Sequence, residues 1–219
     1  MRAPLLDQLR GLAVLLMVVF HAHYDLMLLG EVDTNFQRGF WFYFPRLIVF
    51  IFLWCVGAAM QLGHGERFAA RTFLKRQGKL WGLALLISAA SYLYAPQNWI
   101  YFGTLHCIAA ASLLALPFVN RPRWALGVAA LIVVLQFGAG LDIAWVSSRI
   151  QRPSLDFIPV YPWVWVTLLG IATGPRVLGW RWPFKLSWLA LLGRRSLPIY
   201  LLHQPLIFAL LWGWQRLRG

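Results

Sequence analysis

The chain has 219 residues, of which 60% are hydrophobic and 12% charged, with a formal net charge of +13 at pH 7. Soluble domains carry about 25% charged residues, so this composition excludes an ordinary water-soluble fold and calls for an apolar solvent. The positive charge alone would suggest nucleic acid, but it is divided among short connections with no aromatic-basic module, which argues against such a partner.

Long stretches without Asp, Glu, Lys or Arg run through residues 11–24, 47–65, 80–120, 124–141, 157–175 and 196–215. A bilayer crossing takes about 20 mainly apolar helical residues, and barrel strands would show a period-two alternation that is missing here. The 80–120 stretch holds two crossings, divided by the turn signal Ala95-Pro96-Gln97-Asn98. The expected fold is an all-α, polytopic transmembrane bundle forming a single domain over residues 1–219. Its seven spans fall near 8–29, 40–62, 79–95, 102–119, 124–141, 158–175 and 196–215, with a short interfacial helix over 180–192. Gly65–Lys79 and Asp142–Asp156 are the longest polar connections. Pro159 and Pro162 forbid a regular helix before about residue 162.

Counting charge by side predicts a cytoplasmic N-terminus and a C-terminus on the far side. Fourteen of the twenty basic residues then lie inside, among them Arg71, Lys75, Arg76, Lys79, Arg194 and Arg195. Arg216 and Arg218 run against this asymmetry. The first helix resembles a signal peptide in its apolar run, but no convincing cleavage site follows it, so it is expected to stay in the mature protein. Cys55 and Cys107 fall inside spans. Their spacing suits neither a disulfide framework nor a metal site, and no metal is expected.

Helix one carries the most chemistry. Asp7, Arg10, Met17, His21 and Asp25 fall within about 80° of one another around its axis. Ionisable groups inside a span are costly and usually face the bundle interior or a wet cavity. A carboxylate beside a histidine fixes its tautomer and raises its basicity, as a general base requires, and His21 and Asp25 have i, i+4 spacing. His106 lies about one turn into helix four, at a depth similar to His21. His21, Asp25 and His106 are therefore expected to share one cavity. Ser196, Tyr200 and His203 line one face of the last helix, and Pro205 frees the carbonyl of Leu201. This face reads equally well as a packing seam between helices.

Four runs occur in order: Leu6-Asp7-Gln8-Leu9-Arg10-Gly11-Leu12-Ala13-Val14 leading to His21; Gly103-Thr104-Leu105-His106; Asp156-Phe157-Ile158-Pro159-Val160-Tyr161-Pro162-Trp163; and Ser196-Leu197-Pro198-Ile199-Tyr200-Leu201-Leu202-His203-Gln204-Pro205. Together they resemble a small bacterial member of the heparan-α-glucosaminide N-acetyltransferase catalytic-domain family. The ten residues between Arg10 and His21 also resemble the Arg-ten-His signature of transmembrane acyltransferases. The resemblance implies a multi-pass inner-membrane enzyme that moves an acetyl or other acyl group from acyl-CoA on the cytoplasmic side to a sugar or glycan on the periplasmic side. On that reading His21 is the base, Asp25 orients it, and His106 is the second catalytic candidate. Arg10, Asp7 and Arg46 are the acyl-CoA-binding candidates. The alternative is a non-enzymatic bundle, either a proton-coupled transporter or a partner-binding membrane subunit, since intramembrane His and Asp also suit proton relays.

Overall fold

A computed structural model describes residues 3–64, 68–138, 140, 153–179 and 186–218. The described residues form α-helices and short helical turns, with one isolated bridge, Phe102 to Phe157, and no strand. The helices are α1 (Pro4–Leu28), α2 (Gly39–His64), α3 (Ala70–Tyr94), α4 (Thr104–Ala115), α5 (Pro122–Val133), α6 (Val160–Gly179), α7 (Ser187–Arg194) and α8 (Ser196–Arg218). A 3-10 turn, Leu116–Phe118, extends α4, and a π turn, Val134–Gly138, extends α5. α1, α2 and α8 are each long and apolar enough to cross a membrane, and Thr104–Phe118 and Pro122–Gly138 are shorter apolar helices.

Local chemistry sets the helix ends. Pro4 occupies the first turn of α1, where a missing N–H costs nothing, and Asp7 faces the positive end of the helix dipole. At the other end Gly30 adopts φ +75°, with Gly30 N–H on the Met27 carbonyl and Glu31 N–H on the Leu26 carbonyl. This is the Schellman arrangement, which satisfies two orphan carbonyls and requires the left-handed residue that glycine supplies. In α6 Tyr161 is still non-helical (φ −95°, ψ 133°), so regular helix begins at Pro162, as expected.

Two expectations change. α3 begins at Ala70, so most of the predicted Gly65–Lys79 connection is helix. Arg and Lys disfavour hydrocarbon but are good helix formers, and hydropathy alone mistakes such a cationic extension for a loop. The predicted interfacial helix is α7, a shorter segment whose Leu189, Ala190 and Gly193 are buried by packing; its predicted start, residues 180–185, lies outside the described residues.

The chain divides into two compact units, Met1–Phe52 with Arg181–Gly219, and Leu53–Trp180. In the first, α7 lies against α1 at backbone contact. A Cβ built on Gly11 would sit 1.9 Å from the Leu189 carbonyl oxygen, and one on Gly193 would sit 1.7 Å from that of Asp7. Leu189 against Gly11 and Gly193 against Asp7 make α7 antiparallel to the start of α1. α8 then runs parallel to α1, because His21 meets His203, Asp25 meets Gln204 and Glu31 meets Arg218 in rising order. The Glu31–Arg218 ion pair (3.8 Å) and the stacking of Arg218 on Trp214 give that cation local partners. Met17, Phe44 and Ile48 form the buried cluster against which Tyr200 packs.

In the second unit α2 and α6 meet through small residues. A Cβ on Gly57 would lie 1.9 Å from the Thr167 carbonyl oxygen, one on Gly170 2.2 Å from that of Trp54, and one on Gly174 2.6 Å from the Ala58 Cβ. Gly170 and Gly174 form the small-xxx-small spacing that lets apolar helices approach at backbone distance. The indole N–H of Trp54 donates to Thr173 Oγ1 at 3.0 Å beside this seam.

Candidate functional site

In the first unit, α1 and α8 bring four polar side chains together. His21 Nδ1 lies 2.9 Å from the Met17 carbonyl. A carbonyl only accepts, so Nδ1 carries the proton and the lone pair is on Nε2. His203 repeats the pattern, with Nδ1 2.8 Å from the Tyr200 carbonyl. The two rings meet edge to face, with centroids 4.7 Å apart and an interplanar angle of 75°. His203 is only 9% exposed, and its Nε2 is buried with no hydrogen-bond partner among the described residues. Asp25 is 1% exposed, and both of its carboxylate oxygens accept from Gln204 Nε2, at 3.0 and 2.9 Å.

Asp25 therefore pairs with Gln204, and no hydrogen bond joins it to His21. Helical side chains lean toward the N-terminus of their helix, which carries the His21 ring back to Met17 and away from the turn that bears Asp25. Gln204 is the residue that sequence reasoning missed here. It follows His203 directly, but an amide in a helix gives no signal of a partner 179 residues away.

The other predicted positions in this unit have local partners. Asp7 and Arg10 form an ion pair of 3.7 Å, one turn apart on α1. The Arg46 guanidinium stacks on Phe42, 3.5 Å from the ring centroid, and donates to the Phe42 carbonyl. Ser196 opens α8, and Tyr200 supplies the carbonyl that holds His203. His23, on another face of α1, stacks on Trp41 at 3.8 Å and 2°, with Nε2 2.8 Å from Thr34 Oγ1.

His106 lies in the second unit, where it caps α4. The Gly103 N–H donates to its Nδ1 at 3.2 Å, so the ring proton is on Nε2, which lies 3.4 Å from Ser88 Oγ. Ser88 in turn donates to the Ile100 carbonyl at 2.6 Å. Both nitrogens of His106 are thus engaged, and its tautomer is opposite to that of His21. Asp156 completes the cap. Its Oδ2 accepts from the Thr104 N–H at 2.7 Å and its Oδ1 from the Thr104 hydroxyl at 3.2 Å. A carboxylate there satisfies an orphan donor and faces the positive end of the helix dipole. The run beginning at Asp156 stands out in the sequence, but its partner is 52 residues away.

Burial pushes the Asp156 carboxyl above its ordinary range, while the Thr104 hydrogen bonds and His106 pull the other way. A raised value in the fold means that the stability this group contributes is fully present below its unfolded pKa. That stability is lost as pH rises through the folded value. Asp156→Asn keeps an acceptor for Thr104 and removes the titration. Thermal unfolding midpoints in detergent should therefore lose this acid-side dependence in the variant. Identical pH profiles for the two proteins would refute the assignment. Asp156→Ala should lower stability by about 1 kcal/mol through loss of the cap.

A family model described as "Heparan-alpha-glucosaminide N-acetyltransferase, catalytic" matches residues 2–205. No curated protein and no solved structure matches the chain.

Proposed function

Because the chain belongs to the heparan-alpha-glucosaminide N-acetyltransferase catalytic-domain family, we propose that it transfers an acetyl or other acyl group from acyl-CoA to a sugar or glycan acceptor. On this reading the donor arrives from the cytoplasm and the acceptor from the periplasmic side of a bacterial inner membrane, and both units work as one domain. A membrane acetyltransferase family and apolar helices of spanning length support the class.

The observation that carries the chemical reading is the His21 imidazole, held in one tautomer with its lone pair on Nε2. In the proposed reaction Nε2 takes the proton of the acceptor hydroxyl or amine as the acceptor heteroatom attacks the thioester carbonyl carbon. The C–S bond breaks, and the imidazolium returns the proton to the CoA thiolate. The buried Asp25 carboxylate, one turn further along α1, favours the transient positive charge on His21. His106, with both nitrogens engaged, acts as a positioning residue for the start of α4. Arg10, with Asp7 beside it at the cytoplasmic end of α1, is the proposed cationic contact for the donor phosphates.

We propose seven crossings with the N-terminus cytoplasmic. The parallel course of α1 and α8 supports an odd number, since the first and last crossings then run the same way. Arg71→Cys in an otherwise cysteine-free chain should react with a membrane-impermeant maleimide only from the cytoplasmic side. Labelling from the periplasm of intact cells would overturn the topology. The function is tested by supplying acetyl-CoA with amino and neutral sugars to purified protein in nanodiscs. Acceptor-dependent release of free CoA is expected, and its absence across these acceptors, with no CoA binding, would reject the reading.

A further inference from the structure

In the second unit the start of α3 carries charge that its own helix opposes. Arg71, Lys75 and Lys79 stand one turn apart on one face, all exposed, and no ion pair engages them among the described residues. No Asp or Glu occurs from residue 67 to residue 141. Cations near a helix N-terminus work against the dipole, and like charges at i, i+4 repel. The helix start has no acidic residue in its first turn and no side-chain cap to offset this. Gly78 and Gly82 lie on the same face, and a Cβ on either would meet nothing within 4 Å. A helix-interior glycine is destabilising relative to alanine, and among the described residues no packed backbone requires one here. Around the axis Arg71, Lys75, Lys79, Gly82, Leu86 and Leu93 fall within about 80° of one another. Leu86 and Leu93 are exposed, and they lie about 10 and about 21 Å beyond Lys79 along the helix.

We infer that this face of α3 seats an anionic phospholipid of the surrounding bilayer, with its phosphate between the Lys75 and Lys79 ammonium groups, Arg71 on the headgroup, and an acyl chain along Gly82, Leu86 and Leu93. The inference stands apart from the acyltransferase reading. A phosphate there relieves the repulsion among three cations and supplies the negative charge that the helix start lacks. Gly78 and Gly82 let the lipid approach the backbone closely, a use to which an exposed helical glycine is suited. The apolar run selects a lipid over a soluble phosphate compound. One leaflet's hydrocarbon is roughly 15 Å deep, and the leucines cover that depth directly beyond the cations. Basic residues at the edge of an apolar helix attract anionic lipid in this way.

The test titrates phosphatidylglycerol, and phosphatidylcholine with the same acyl chains, into protein in a neutral detergent and counts bound lipid by native mass spectrometry. Phosphatidylglycerol should bind more tightly. Each cation beside an anionic headgroup contributes about fivefold, so Lys75→Gln/Lys79→Gln should weaken phosphatidylglycerol about 25-fold and leave phosphatidylcholine unchanged. Arg121→Gln/Arg123→Gln removes the same charge at the start of α5, where residues two apart do not share a face, and should stay within a few-fold of wild type. All four positions are exposed, so these variants should fold. Gly78→Leu/Gly82→Leu keeps every cation but covers the open backbone, and should weaken phosphatidylglycerol severalfold while raising the thermal midpoint. Equal affinity for the two lipids, or equal losses in the two charge variants, would overturn the seat. So would unchanged affinity in the glycine variant. Displacement of phosphatidylglycerol by free CoA would assign the cations to the donor's phosphates and overturn it likewise.

Discussion

Replacement of His21 by alanine is expected to lower acyl transfer about 10²–10⁴-fold per folded molecule, the usual contribution of a positioned general base. The Met17 carbonyl holds the proton on Nδ1 and leaves Nε2 as the acceptor. The ring cannot turn over without losing that hydrogen bond, so the basic nitrogen has one direction. His21→Gln retains an acceptor but not a group that accepts a proton near neutral pH, so it should be nearly as inactive as alanine. This pair separates catalysis from packing. If His21 only fills space against His203, glutamine would preserve stability and turnover together, and alanine would lower the melting temperature while leaving the rate per folded molecule unchanged. Either result would remove His21 from the chemistry. The acceptor-dependent rate of CoA release, normalised to protein recovered as a monodisperse peak, is the quantity to compare.

Gly193→Ala is expected to cost about 3 kcal/mol or more, the upper end of overpacking effects, and to leave little folded protein. The added Cβ would meet the Asp7 carbonyl oxygen at 1.7 Å and its carbon at 2.7 Å. Backbone cannot rotate out of the way as a side chain can, so relief requires α1 and α7 to separate. Gly11→Ala should behave similarly, since its Cβ would lie 1.9 Å from the Leu189 carbonyl oxygen. Gly213→Ala is the contrast: nothing lies within 4 Å of its Cβ, and alanine there should stabilise α8 by about 0.5–1 kcal/mol. Gel-filtration recovery and thermal midpoints check all three. Normal recovery of Gly193→Ala would show that the α1–α7 contact gives way.

The long helices were legible because uncharged runs of spanning length have few other uses, and α1, α2 and α8 fall where those runs predict. The cationic start of α3 was hidden because hydropathy measures solvent preference rather than helix formation. His21 and Asp25 were legible as ionisable groups in an apolar run, and the structure brings them into one unit with His203. Their hydrogen bonds were not legible. A helical side chain meets either its own preceding turn, as His21 meets Met17, or a distant helix, as Asp25 meets Gln204. Spacing alone points to neither. The Gly170–Gly174 spacing did carry a usable signal for the α2–α6 seam. No short-range signal marks Gly11 and Gly193 as partners.

The Gly11–Gly193 contact also acts as a length standard for the site. Helices held by interleaved side chains can slip by a fraction of a turn, whereas two backbones in contact have no slack. Ten residues lead from Gly11 to His21 and ten from Gly193 to His203. The height at which the two imidazoles meet is thus counted from a common zero. Each residue added or removed between Gly11 and His21, a path that is helical throughout, turns the His21 ring by about 100° and shifts it by about 1.5 Å; the path to His203 reverses at Arg195, so its length is set by that turn as well as by α8. Exposed side chains along both paths are free to vary in size, whereas Ala13, Val14 and Met17 are fixed by burial as well as by count.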